Sequence, residues 1–420
     1  MNQKFIGSKT MIALAIASMM AGTAFAHEDG QLSAKTNTVV SAEEGKTNAT
    51  INYASQEAAK AELESFVNIV GNIATVKDAD GQFGSAGTAN FVIAHVTDGW
   101  DKDTPAIVVS NGTLEGFTGP DVNTKHAGLL FTIDGTSALK LSGMSVKDNK
   151  AAEPRGMVRA EKGGKLDVAD STFTGNEGVL GAALSYFEAE GSVVNSRFAD
   201  NKSASHGGAM YVTGGKVAIE TAIFTDNEAA KQGGALQVSG GNFDTTLTLK
   251  DVVFSGNKST ISKNVSTNLH AGGALMVNGG GSTRTKVSAQ KIEFTNNTVA
   301  SGNGGALAVT GGGDFDLKSG SFTGNQASGG GAVAVYHGNA SFTDVDFRDN
   351  RSNGWGGAVM VDVTGSTVEF RATEKDVVVA GNTAGDASSF TGKLYDGYTG
   401  GFLHLKGPRQ PTLILPKVAR

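Results

Sequence analysis

The chain contains no cysteine, so no disulfide can brace it and its stability must come from stacking and burial. It has two tryptophans and nine methionines against 59 glycines. A helical repeat needs apolar residues at 3.6 spacing and few glycines, so that class is excluded. After the first 20 residues no apolar run approaches the ~20 residues that a membrane-crossing helix requires. Basic clusters with interleaved aromatics are missing too. Removing Lys4 and Lys9 with the export signal described below takes the 35 basic residues to 33 against 41 acidic ones, a formal charge of −8. An acidic surface repels phosphates, so nucleic acid is not expected as a partner. The sequence holds no phosphate loop, nucleotide fingerprint or activated nucleophile, and no cofactor is expected.

What is abundant is repetition. Phe-x-x-Asn occurs at Phe173/Asn176, Phe198/Asn201, Phe224/Asn227, Phe254/Asn257, Phe294/Asn297, Phe322/Asn325 and Phe347/Asn350. The phenylalanines are 25, 26, 30, 40, 28 and 25 residues apart, a period within the solenoid range. Gly-Gly-Ala alternates with them, ending at Ala209, Ala235, Ala274, Ala306, Ala332 and Ala358, with Gly181-Ala182-Ala183 as a worn copy. Each Gly-Gly-Ala opens a short run of period-two alternation, and a second alternating run leads into each Phe, as in Val217–Phe224. Alternation of period two is the strand signal. The expected fold is all-β, a right-handed parallel β-helix in which each coil adds one rung to every sheet. Phe then stacks on Phe inside the coil, Asn forms a ladder in the turn, and Gly-Gly supplies backbone angles other residues avoid. These fourteen Phe and Asn residues are structural in this reading. Weaker copies lie at Val146–Asn149 and Val379–Asn382, and the 40-residue interval contains an insertion, Lys258 to Ala271, read as a protruding loop.

The flanks differ from the array. Residues 1–26 read as an export signal, with Lys4 and Lys9, an apolar stretch from Met11 to Met20, and Ala24-Phe25-Ala26 before a mature start at His27. Residues 27–74 combine a polar stretch with one amphipathic segment, Ser55 to Val70, expected to be a helix that caps the first coil. Its N-cap is Ser55, and Leu63, Phe66, Val67 and Val70 lie on one face. The β-helix is placed at 75–405, beginning with strands near Phe91–His95, Ala106–Ser110 and Leu129–Ile133 and ending on a Gly-Gly rung, Gly400 to Leu405. Residues 406–420 are a tail or the point of truncation.

The paired motifs resemble the repeats of the polymorphic outer membrane proteins, type V autotransporters, over about Val146 to Leu405. The resemblance implies a β-helical passenger that is exported through the inner membrane and displayed at the outer-membrane surface or released, commonly as an adhesin. Its partner would be a host or neighbouring-cell surface protein or a glycan. Those proteins meet the outer membrane through a terminal β-barrel, and no series of ~10-residue amphipathic segments follows the repeats here. The reading is therefore a surface-exposed or secreted, non-enzymatic passenger. A secreted polysaccharide lyase or glycoside hydrolase on the same scaffold is the alternative, and a structural spacer of a larger autotransporter the second.

For the enzyme alternative the candidate catalytic group is Asp344, Asp346 and Arg348, placed on one outer face at i, i+2 and i+4 if Phe347 points inward. The aligned positions in earlier coils hold Ser319, Lys291, Asp251 and Thr221, and Ser321, Glu293, Val253 and Ile223, which do not repeat the carboxylates. No metal site is expected. Gly311 to Asp316 has Asp314 where the calcium nonapeptide needs glycine, and His206 and His270 lie in different coils. For the binding reading the candidate is the uncharged outer face after each Gly-Gly, around Tyr211, Gln237, Met276 and Met360. The inserted loop is its rival.

Overall fold

The computed structural model describes residues 138–385, apart from 152–155, 263–269, 282, 363–364 and 376, and outside that range only strand segments. The expected helix at Ser55 to Val70, the export signal and most of the tail lie outside the described residues. Among the described residues the chain is all-β, a parallel β-solenoid of about 8 turns without a helix. It divides into two compact units, Met1–Arg197 and Phe198–Arg420.

In the first unit, Ile107–Ser110, Ala138–Ser142 and Lys165–Ala169 stack in parallel, as do Gly112–Glu115, Ser145–Lys147 and Thr172–Thr174. Gly128–Ile133, Gly156–Glu161 and Leu184–Val194 form a third column. The expected early strands are present within a residue or so at Val92–Val96, Ile107–Ser110 and Gly128–Ile133. The first of these is irregular in its pairing: Ile73–Val76 pairs antiparallel with Val92–Val96. Val146 occupies the Phe position, opposite Phe173, and Asn149 donates to Asn176 Oδ1 at 2.9 Å.

The second unit repeats more regularly. Leu236–Ser239, Leu275–Asn278, Leu307–Thr310, Val333–Tyr336, Val359–Asp362 and Leu403–Lys406 make one parallel column, so the last Gly-Gly rung is real. Thr245–Ser255, Thr285–Thr295, Asp314–Thr323 and Asn339–Arg348 make another. A third column lies just after each Asn, beginning with Lys202–His206 and continuing in two-residue strands such as Lys258–Ser259 and Arg351–Ser352. Since Lys258–Ser259 pairs with both neighbouring coils and Ile261 and Ala271 are buried, the insertion is shorter than Lys258 to Ala271. Its remaining residues, 263–269, lie outside the described ones.

The two glycines of Gly-Gly-Ala serve different ends. Gly233 has φ +66°, the left-handed region that favours glycine, whereas Gly234 is needed for space, since a Cβ there would sit 1.8 Å from the Gly273 carbonyl oxygen of the next coil. A similar backbone demand explains the residue before each motif Asn. Asp226, Gly256, Asn296, Gly324 and Asp349 all have φ between 54° and 67°, and Gly, Asn and Asp are the residues that tolerate this best.

Inside, Phe198, Phe224, Phe254, Phe294, Phe322 and Phe347 form a stack with centroids 4.6–5.0 Å apart. Beside it runs a buried ladder from Asn201 to Asn382. Asn257 shows the pattern: Oδ1 accepts from the backbone N and Nδ2 of Asn227, and Nδ2 donates to Phe224 O and to Asn297 Oδ1, all at 2.9–3.0 Å. The four hydrogen bonds an amide side chain can make are all made.

Candidate functional site

The register assembles the proposed binding face as the sequence implies. Tyr211, Gln237, Met276, Ala308, Ala334 and Met360 are successive partners on one column. The expectation that they form an open surface is corrected, because Gln237, Met276 and Met360 are 3%, 0% and 4% exposed and only Tyr211 remains half-buried. Alternation identifies which side chains leave the coil, not what packs over them. On this side His270 stacks on Tyr336 with centroids 4.6 Å apart, and a Cβ on Gly329 would meet Met360 Sδ at 2.9 Å. A charge placed at Met276 or Met360 therefore tests folding, not surface contact.

His206 borders the same column. Burial, reinforced by Lys231, lowers its pKa to about 4; the nearby Gln237 amide opposes this weakly. Among the described residues, Nδ1 of His206 and Oε1 of Gln237 make no hydrogen bond of standard length. Because the folded-state pKa lies below the unfolded value of ~6.5, the unfolded chain binds the proton first, and stability falls as pH drops from about 6.5 to about 4. The loss attributable to this one group approaches ~3 kcal/mol. Urea titrations of the wild type and His206→Gln at pH 7.5 and 4.5 should show a smaller pH-dependent loss in the variant. Equal losses would remove His206 as a source.

The second candidate is rearranged more deeply. Each long strand turns a corner at one left-handed residue: Asp251, Lys291, Ser319 and Asp344 have φ 52°, 54°, 60° and 57°. The inward set changes parity there, from Leu247 and Leu249 to Val252 and Phe254 in one coil. Asp344, Asp346 and Arg348 consequently do not share an open outer face.

Asp344 is 2% exposed and accepts from Thr373 N at 2.6 Å, Thr373 Oγ1 at 2.7 Å and Glu374 N at 3.2 Å. Burial pushes its pKa up, but these hydrogen bonds outweigh burial and hold it below the usual carboxylate value. Asp346 accepts from Val378 N at 2.9 Å and pairs with Lys375 Nζ at 3.2 Å and Arg348 Nη2 at 3.6 Å.

Both carboxylates thus hold one loop. Three residues, 344–346, connect Thr343 to Phe347, whereas seven, 372–378, connect their partners Arg371 and Val379 in the next coil. The added length makes a wall, fastened further by Lys318 to Glu374 at 2.9 Å. Beside it opens a cleft of about 520 Å³ lined by Asp251, Val253, Lys291, Glu293, Ser319, Gly320, Ser321, Asp346 and Lys375. The aligned positions that seemed unrelated in sequence are therefore neighbours in one site. Lys375, which sequence reasoning missed, reaches it only because the longer loop folds back.

Asp314 and Asp316, in the calcium-like segment, accept hydrogen bonds from Asn339 and Ser341 of the next coil. Among the described residues no group of three or more His, Asp or Glu is arranged to hold a metal ion. No protein-family model, no curated protein and no solved structure matches the chain.

Proposed function

We propose that the chain is an exported β-solenoid passenger, displayed at the cell surface or secreted, which holds a partner without turning it over. The observation that carries this reading is the use made of Asp344 and Asp346, the two carboxylates of the candidate catalytic group. Asp344 is sealed behind three donors and Asp346 is tied to Val378 and Lys375. General acid–base catalysis needs a carboxyl group within reach of the substrate and free to exchange its proton, whereas these two serve as fastenings of a recognition wall.

The export-type first 26 residues, the lack of cysteine and the paired motifs support the same reading. They are the basis for placing the chain beside the polymorphic outer membrane proteins, with a right-handed coil and Ser55 to Val70 as its cap. Purified protein should bind host or neighbouring cells saturably and release no product from a polysaccharide panel. Turnover abolished by Asp346→Asn would replace this proposal with the enzyme reading. Neither binding nor turnover would leave a structural spacer.

A further inference from the structure

Resting on that binding reading, we infer that the cleft walled by Thr373, Glu374 and Lys375 is a subsite for a linear, uncharged oligosaccharide laid along the stacking direction. Backbone chemistry argues against an added peptide strand. Val253, Glu293, Ser321 and Asp346 are successive parallel partners, so the ladder at the cleft floor already uses the main-chain groups through which a peptide would join a sheet edge. Recognition there must use side chains.

Those side chains carry both signs and pair with each other: Lys291 with Asp251 at 3.6 Å and Lys375 with Asp346 at 3.2 Å. The lining holds three carboxylates, Asp251, Glu293 and Asp346, and two ammonium groups, Lys291 and Lys375, so a polyanion would meet mostly like charge and a polycation would still meet both lysines. Sugar hydroxyls suit the lining better. Each hydroxyl donates and accepts, so it can bridge an ammonium and a carboxylate without leaving either charge unpaired, and hydrogen bonds to charged groups are the stronger kind.

The floor is low for a structural reason. Its central residues are the small Ser319 and Ser321, while Gly320 between them takes the inward position that Ile292 and Val345 hold in the adjacent coils. Rungs recur every ~4.8 Å, close to the length of one pyranose unit, and the lining comes from four successive rungs and the loop of the coil that follows. A chain of three or four sugars would present hydroxyls rung by rung. Val253 lines one end, with Ile223, its partner in the preceding coil, 40% exposed beyond it. Together they offer an apolar strip to the C–H face of a sugar ring.

The test is calorimetric titration of the full chain with cellotetraose, maltotetraose, mannotetraose and tetragalacturonate, and with a lysine-rich and an acidic peptide. At least one neutral tetrasaccharide should bind saturably. Ser321→Trp, which fills the floor, and Lys375→Ala, on the exposed wall, should each weaken binding at least tenfold, with the Lys375 variant controlling for any folding defect of the other. Preference for tetragalacturonate or either peptide would overturn the inference, as would neutral binding unchanged in both variants. Cell binding that persists without neutral-sugar binding would sink this subsite and leave the passenger reading standing. Shortened sugar products would sink the passenger reading instead.

Discussion

Asn297→Leu is expected to lower the stability of the solenoid by about 4 kcal/mol, at the upper end of what loss of buried hydrogen bonds produces. The side chains have similar size, so the change tests polarity with little change in volume. Asn297 Oδ1 accepts from Asn257 N and Nδ2 at 3.0 Å, and Nδ2 donates to Phe254 O and Asn325 Oδ1 at 3.0 Å. Leucine leaves two N–H groups of Asn257 without their acceptor in a site that is fully buried. Each such orphan costs ~1–3 kcal/mol. Asn325 Oδ1 keeps the backbone N of residue 297, and for that reason the loss stays below the sum over all four bonds. Urea denaturation followed by circular dichroism measures the effect, and a shift under ~1 kcal/mol would mean that the ladder is not a significant source of stability.

Phe254→Ala is the second large effect, expected at about 3–5 kcal/mol. The ring is fully buried and lies between Phe224 and Phe294, each 5.0 Å away and inclined by 15° and 6°. Truncation removes contacts on both faces. The neighbouring rings cannot close the gap, because their backbones are fixed at the rung spacing: Thr245–Ser255 pairs with Thr285–Thr295 on one side and with Ile223–Thr225 on the other. An unrelaxed cavity is the costly kind. An unchanged melting temperature would place this ring outside the core.

The repeat made the solenoid, the Phe stack and the Asn ladder legible, because an inward residue must meet its own copy one rung away. A signal for the turn was also present in the sequence: the residue before each motif Asn is Gly, Asp or Asn throughout Phe173 to Asn350, matching its left-handed backbone. The other corner left no such mark. Asp251, Lys291, Ser319 and Asp344 share a conformation but no residue type, since the ~1–2 kcal/mol cost of the left-handed region is small enough for the stacked sheets to absorb. Missing that corner extended one alternation across two sheets and placed Asp344 on an open face.

The sequence by itself determined the coil: its period, its inward residues and the glycines that let successive turns approach. Tertiary structure decided what lies outside it. Packing buried Gln237, Met276 and Met360, and the loop that carries Thr373, Lys375 and Val378 converted Asp344 and Asp346 into fastenings and brought Lys375 to Lys291 and Glu293 around one cleft. The physical reason is that inward positions are specified by a local alternation repeated at every rung, whereas outward side chains take their environment from neighbouring coils and loops, which no single repeat encodes.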